Sequence, residues 1–457
     1  MAQQIKTILI LGASGDLAAR LLLPALGQLL TREPKRRVTL IGAGIDELTD
    51  ARWKSILKAS FTEGGASAAV VDRVLKNTRY LRLDVTKAGD LTTALEACDG
   101  TPAMYFALPP AITARACDAL SDVSLPKGTI LALEKPFGTD EAGAHALNKK
   151  LLSLVPETQV HRIDHFLGVS TVFNLVGLRF ANRVFEPVWN SSHIEKVEIV
   201  YDEQLALEGR ARYYDKAGAL VDMIQSHLLQ VLAVFAMEPP SSMSAADLRD
   251  AKGQVLRATR VYDSNPQQSS RRARYTAGKV GRRSIPSYVD EDGVDPKMGT
   301  ETLAEVTVEI DTWRWARVPF VLRSGKALCD KRREIIVTFK DVPHLPTGLT
   351  GLTGPTVLRI YFTPDRLSLE LNVNGPGKPE ELDRATLTTD LGAGELLPYG
   401  EVLAGILNGD PTLSVRGDTA EHCWRIVGPV LEAWHAKGFP MDEYEAGTMG
   451  PSNWDGD

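Results

Sequence analysis

The residue types that are scarce narrow the class first. Four cysteines occur in 457 residues, and Cys98, Cys117, Cys329 and Cys423 lie far apart with no C-x-x-C pair. That spacing argues against a disulfide framework and against a thiolate zinc site. The eight histidines show neither HExxH nor HxH spacing, so no catalytic metal is expected. No uninterrupted apolar run of about 18 residues occurs, so no membrane span or membrane partner is expected. The opening MAQQIKTILILG runs from its apolar stretch straight into a glycine turn, unlike a signal peptide. A cytoplasmic location is the simplest expectation. A strong excess of one charge is also missing. The net charge of −6 argues against a nucleic-acid partner. The basic cluster Arg271, Arg272, Arg274, Arg282 and Arg283 reads as a solvated loop.

Apolar residues make up 44% and charged residues 24%, an ordinary globular composition. The length favours two domains. Up to residue 170, short apolar runs alternate with helical patterns. Ile5–Leu11, Arg37–Gly42, Tyr80–Leu83, Ala103–Leu108, Gly128–Leu133 and Thr158–Ile163 read as strands, and Asp16–Thr31 as a helix. That alternation predicts a parallel sheet covered by helices. Later, Ile194–Val200, Glu301–Asp311, Glu334–Phe339, Thr356–Phe362 and Leu367–Val373 read as strands of an antiparallel sheet, with helical patterns at Gly218–Met237 and Glu421–Trp434. The expected architecture is an α/β Rossmann domain over 1–170 and a larger α+β domain, for substrate binding and oligomerisation, over 171–457. Trp313 and Trp315 alternate as on a strand and read as packing residues.

The run Thr7–Leu11 leads into Gly12-Ala13-Ser14-Gly15-Asp16-Leu17-Ala18, and a helical pattern follows. Strand, glycine turn and helix make a phosphate-binding loop: glycine admits the pyrophosphate, and the helix N-terminus offers free N–H groups. A dinucleotide is therefore the expected ligand. The second strand ends at Ile41-Gly42-Ala43-Gly44-Ile45-Asp46. An acidic residue there can hydrogen-bond the adenosine ribose; equally, Asp46 could cap the helix that follows.

Three later segments concentrate chemistry: Glu134-Lys135-Pro136-Phe137-Gly138, Arg162-Ile163-Asp164-His165-Phe166-Leu167-Gly168, and Tyr213-Tyr214-Asp215-Lys216-Ala217-Gly218 continuing to Asp222 and His227. Histidine is the usual general base near neutral pH, and a carboxylate can set its tautomer. On a regular helix, Asp222 and His227 are five apart and point roughly 140° away from each other.

These segments, with GASGDLA at 12–18, LRFAN at 178–182, FEPVW at 185–189, YYDKAGAL at 213–220, VPFVLRSGK at 318–326 and WRIV at 424–427, resemble the glucose-6-phosphate dehydrogenase family. The resemblance spans nearly the whole chain. It implies oxidation of carbon 1 of a hexose, by default glucose 6-phosphate, to a lactone, with hydride passing to NAD or NADP. It implies that His227 is the general base, that Asp164 orients it, and that Lys135 contacts both substrate and cofactor. It places the substrate on His165, Glu203, Asp222, Lys326 and Lys331, with His165 on the phosphate. It places the cofactor on Gly12, Ser14, Gly15, Asp16, Leu17, Asp46, Pro109, Lys135 and Pro136. It also implies a homodimer or homotetramer formed through the large sheet.

The chain departs from the family pattern at named positions. The lysine that usually follows DHxLG is Val169, a frequent tyrosine is Phe166, and an arginine five residues beyond the SGK lysine is Lys331. A lysine after the turn's arginine is Leu21. Losing one charged contact costs roughly 1.5–3 kcal/mol, or about tenfold to more than a hundredfold in affinity. An unphosphorylated or 6-sulfo hexose is therefore an alternative substrate. A non-catalytic dinucleotide-binding homologue is a further alternative, against which the retention of Lys135, Asp164 and His227 argues. At the cofactor end, Gly44-Ile45-Asp46 stands where many NADP-using members carry an arginine. Asp46 would repel a 2′-phosphate, so NAD is expected to serve at least as well as NADP.

Overall fold

A computed structural model of the chain describes residues 5–375, 377–392 and 394–454; the ends of the two expected domains, 1–4 and 455–457, lie outside the described residues. The chain forms two compact units. One comprises the described residues of Met1–Val169, Pro240–Gly253 and Gly394–His422, the other those of Ser170–Pro239, Gln254–Ala393 and Cys423–Asp457.

In the first unit, β1 (Thr7–Leu11), β2 (Thr39–Gly44), β3 (Arg79–Arg82), β4 (Pro102–Phe106), β5 (Ile130–Glu134) and β6 (Val160–Ile163) lie in the spatial order β6-β5-β4-β1-β2-β3, all parallel. The short strand Ser414–Val415 adds antiparallel to β6. Every residue of β1 and β4 is buried, as continuous apolar strands are when both faces of a parallel sheet are covered. The order reverses between β1 and β4, the switch point at which such sheets open a crevice beyond their carboxyl ends. Arg162 on β6 is fully buried and anchors that strand, binding Glu157 at 2.9 Å and Asn148 at 3.0 Å.

The second unit is built on a large, mainly antiparallel sheet. Its centre runs Val357–Phe362, Arg333–Phe339, Ile194–Asp202, Phe320–Gly325, Leu303–Ile310, Ser270–Thr276. The central pair Ile194–Asp202 and Phe320–Gly325 is parallel. Leu303–Ile310 alternates buried and half-buried residues, the pattern of a strand with one covered face. Helical segments Leu220–Leu228 and Leu229–Ala236 pack as a core element. The stretch Tyr213–Ala236 is long and apolar enough to cross a membrane by length and composition, yet 89% of its apolar window is buried within the protein.

Two expectations change here. The basic cluster is a solvated loop only in part: Arg282 and Arg283 are exposed at and just after a turn, but Arg271, Arg272 and Arg274 lie on the strand Ser270–Thr276. Arg271 sits over Trp454 at 4.9 Å and ion-pairs Glu305 at 2.7 Å, while Arg272 sits over Trp434 at 5.7 Å. The guanidinium faces stack on aromatic rings while Ala273 and Tyr275 alternate into the core. Trp315 is buried and donates to the Ala236 carbonyl at 2.8 Å, but Trp313 is 98% exposed and packs nothing. The two lie in a turn, not on a strand.

Candidate functional site

Every candidate of the first unit sits just beyond the carboxyl end of a parallel strand. After β1, Gly12 adopts φ +84°, and a Cβ there would lie 2.3 Å from the Ala107 carbonyl oxygen. Only glycine fits. The N–H groups of Gly12 and Ala13 both donate to the Ala43 carbonyl, at 2.7 and 3.1 Å, tying the turn to β2. Ser14 donates its hydroxyl to the Asp46 carboxylate at 2.5 Å. Capping does not explain Asp46: the next helix is Asp50–Glu63, and its cap is Thr49, which accepts from the Arg52 N–H. Asp16 is exposed and pairs with Arg20 at 3.2 Å, and Leu17 packs on the core. Sequence reasoning missed one cation. Arg82 ends β3 directly opposite Gly44 and ion-pairs Glu47 at 3.4 Å.

Pro109 follows β4 and precedes the helix Pro110–Ala119. Lys135 and Pro136 follow β5, and Asp164 and His165 follow β6. Because Glu134 pairs with Ile163, the two segments emerge side by side. Asp164 is buried and accepts the Phe166 N–H at 3.0 Å, opening the short turn His165–Gly168. His165 stacks on Tyr399 with ring centres 5.0 Å apart and 16° between planes. The hydroxyls of Tyr105 and Tyr399 both hydrogen-bond the Glu134 carboxyl. Burial raises the Glu134 pKa to about 7, against the opposing pull of the two tyrosines and Lys135. Nothing local to EKPFG marks Tyr399 as its partner.

This carboxyl makes a testable contribution to stability. Its folded pKa lies above its unfolded value, so the folded chain binds the proton more tightly. The resulting stabilisation is complete below pH 4.5 and is lost as pH rises through about 7. The stability of wild type relative to Glu134→Gln should therefore fall across that window, by on the order of 3 kcal/mol at most. Thermal melts at several pH values measure this difference; one that stays constant or grows with pH contradicts the assignment.

In the second unit, Glu203 and Lys326 follow the carboxyl ends of the paired parallel strands. Lys326 is buried, lies 2.7 Å from the Glu203 carboxylate, and stands over the Tyr214 ring at 5.1 Å. Against the strand Phe320–Gly325, which precedes Lys326, packs Leu220–Leu228, which carries Asp222 and His227. This segment is wound as a π-helix, with the Leu229 N–H donating to the Ile224 carbonyl. Hydrogen bonds from i to i+5 bring residues five apart to about one turn, so Asp222 and His227 share a face. The angular separation expected for a regular helix does not apply. Gly218 opens the segment at φ +65°, where a Cβ would lie 2.2 Å from the Glu301 carboxylate. Glu301 accepts the Leu220 N–H at 2.9 Å. Tyr213 donates to Asp222 at 3.2 Å, and His227 is buried. Lys331 borders a cavity with Arg333, which sequence reasoning also missed.

Residues 9–174 match the NAD binding domain of glucose-6-phosphate dehydrogenase, and residues 176–456 match its C-terminal domain. The chain belongs to the glucose-6-phosphate dehydrogenase family. A glucose-6-phosphate 1-dehydrogenase of Rhizobium meliloti (strain 1021) is 38% identical over 469 residues, covering 97% of this chain and 94% of the relative. That of Gluconobacter oxydans (strain 621H) is 39% identical over 460 residues, with the same coverage of 97% and 94%. The solved glucose-6-phosphate 1-dehydrogenase of Mycobacterium avium superposes with a TM-score of 0.87 at 32% identity, covering 99% of this chain and 96% of that one. A glucose-6-phosphate dehydrogenase solved in complex with its substrate glucose-6-phosphate also gives 0.87, at 29% identity, covering 99% and 97%. Membership of the glucose-6-phosphate dehydrogenase family makes the chain an oxidoreductase of carbohydrate metabolism that uses a nicotinamide dinucleotide. The Rossmann domain and the larger, mainly antiparallel domain are the fold of that family.

Proposed function

We propose that the chain oxidises carbon 1 of glucose 6-phosphate to the lactone and uses NAD at least as well as NADP. The observation that carries this reading is the grouping within the second unit. There the buried Lys326–Glu203 pair ends the central strands, and the π-helix packed on them holds Asp222 and His227 on one face. Glu203, Asp222 and Lys326 supply acceptors and a donor for sugar hydroxyls, and His227 takes the proton of the 1-hydroxyl. The dinucleotide fits the Gly12 turn by its place, between β1 and the helical segment that follows it, at the switch point of the parallel sheet. When bound, it supplies the hydride acceptor. Gly12, Ser14 and Gly15 would hold its phosphates, Asp46 its ribose, and Lys135 and Pro136 its nicotinamide end. The NAD assignment rests on Asp46, held at the end of β2 by Ser14.

A kinetic matrix of glucose 6-phosphate, glucose and 6-sulfo-glucose against NAD and NADP tests both parts. The expected result is a kcat/KM for glucose 6-phosphate at least about tenfold above the other sugars, a difference of about 1.4 kcal/mol. A preference for glucose or the sulfo sugar overturns the substrate, and a preference for NADP beyond about tenfold overturns the cofactor. We assign the assembly to a homodimer or homotetramer formed through the large sheet, whose outer strand Glu381–Asp390 exposes Leu387; light scattering checks it.

A further inference from the structure

The family pattern loses a cation at Val169, and the second unit offers one that no motif marks. Arg333 begins the strand Arg333–Phe339, directly opposite Tyr201 in the antiparallel pair with Ile194–Asp202. Its guanidinium lies over the Tyr201 ring at 4.6 Å, and one nitrogen stands 3.5 Å from the Glu203 carboxylate. That carboxylate is already engaged by Lys326 at 2.7 Å, so it leaves much of the Arg333 charge uncompensated. The Arg333 Nε is buried with no hydrogen-bond partner among the described residues. Such a buried donor is costly unless something accepts from it. Beside it lies a cavity of 310 Å³ bordered by Arg283, Lys331 and Arg333, with Gln204 and no carboxylate. Arg283 is committed to Glu208 at 2.8 Å. Lys331 has no ion-pair partner among the described residues. Two under-compensated cations, one beginning a strand and the other two residues before it, thus border a hollow next to the residue proposed to bind sugar hydroxyls.

We propose that Arg333, together with Lys331, binds a tetrahedral oxyanion carried by the sugar, in a subsite of the second unit. A planar guanidinium pinned on an aromatic face is pre-organised to pair with phosphate or sulfonate oxygens. The proposal rests on the function assigned above.

The test compares wild type with Arg333→Gln and Arg333→Lys. For glucose 6-phosphate, Arg333→Gln raises KM about tenfold or more and leaves kcat nearly unchanged. Arg333→Lys recovers part of the loss. With unphosphorylated glucose, the three proteins have equal kcat/KM. 6-Sulfo-glucose, run in parallel, separates a phosphate subsite from a sulfonate subsite by which KM responds more. An unchanged KM for both anionic sugars, or an equal loss on glucose, overturns the proposal, the latter because it marks a merely structural role. If wild type turns over none of these sugars, the assigned function fails while the subsite is still tested. Calorimetric titration with inorganic phosphate then decides: binding lost in Arg333→Gln supports the subsite, and binding equal in the two proteins, or absent from wild type, overturns it.

Discussion

Replacing His227 by asparagine lowers kcat by about a hundredfold to ten-thousandfold, the range for loss of a positioned general base. NAD binding, followed by nicotinamide fluorescence, is retained, because the Gly12 turn and Asp46 belong to the other unit. The size of the effect follows from the chemistry. Hydride cannot leave carbon 1 as the carbonyl forms unless the hydroxyl proton has somewhere to go. Asparagine keeps a similar shape and a hydrogen-bonding amide, so the buried site is left without a large cavity, yet it cannot take up a proton. The kcat loss should therefore come without a large drop in melting temperature. Activity within a few-fold of wild type removes His227 from its assigned role. A collapse of melting temperature alongside the loss calls for His227→Gln as the second variant, and full activity there has the same meaning.

The second large effect lies at the cofactor end. The double variant Ile45→Arg with Asp46→Ser should shift the ratio of kcat/KM for NADP over NAD upward by about tenfold to a hundredfold or more. Asp46 is exposed but not loose, since its carboxylate accepts the Ser14 hydroxyl at 2.5 Å. A negative charge held there opposes a 2′-phosphate. Removing it and adding a guanidinium at position 45 reverses the local sign. Ile45 is 69% exposed, so the arginine displaces no core packing. The neighbouring Arg82 is engaged by Glu47 at 3.4 Å, so Glu47→Gln should move the ratio the same way by less. Because these groups are solvated, both shifts shrink as salt rises. An unchanged ratio in the double variant, measured at low salt, refutes the role of Asp46.

The elements that could be read from the chain are those whose signal is local. Thr7–Leu11 is a continuous apolar run ending in a glycine whose φ and crowding admit no side chain, so strand, turn and helix could be placed together. The strand Ser270–Thr276 escaped because its arginines read as solvent-facing. Only the folded chain shows Trp434, Trp454 and Glu305 waiting for them. The π-helix escaped for another reason. A backbone that shifts from i+4 to i+5 hydrogen bonds alters the phase of every later side chain, and no residue type announces that shift. Its supports are Gly218 and the distant Glu301, which approaches too closely for any Cβ.

The sequence by itself determined the Rossmann unit, the family, and the identity of Lys135, Asp164, His165, Glu203, Asp222, His227 and Lys326 as the residues to watch. For the family and for those residues it did so through the resemblance, which rests on short motifs that are read without knowing how the chain folds. Tertiary structure alone decided that Asp46 is held by Ser14 rather than capping a helix, that Asp222 and His227 share a face, and that Tyr399 stacks on His165 while gripping Glu134. It alone brought Arg333 to the edge of a cationic hollow. These are contacts between residues remote in the chain, set by strand order and helix winding, and local periodicity holds no record of them.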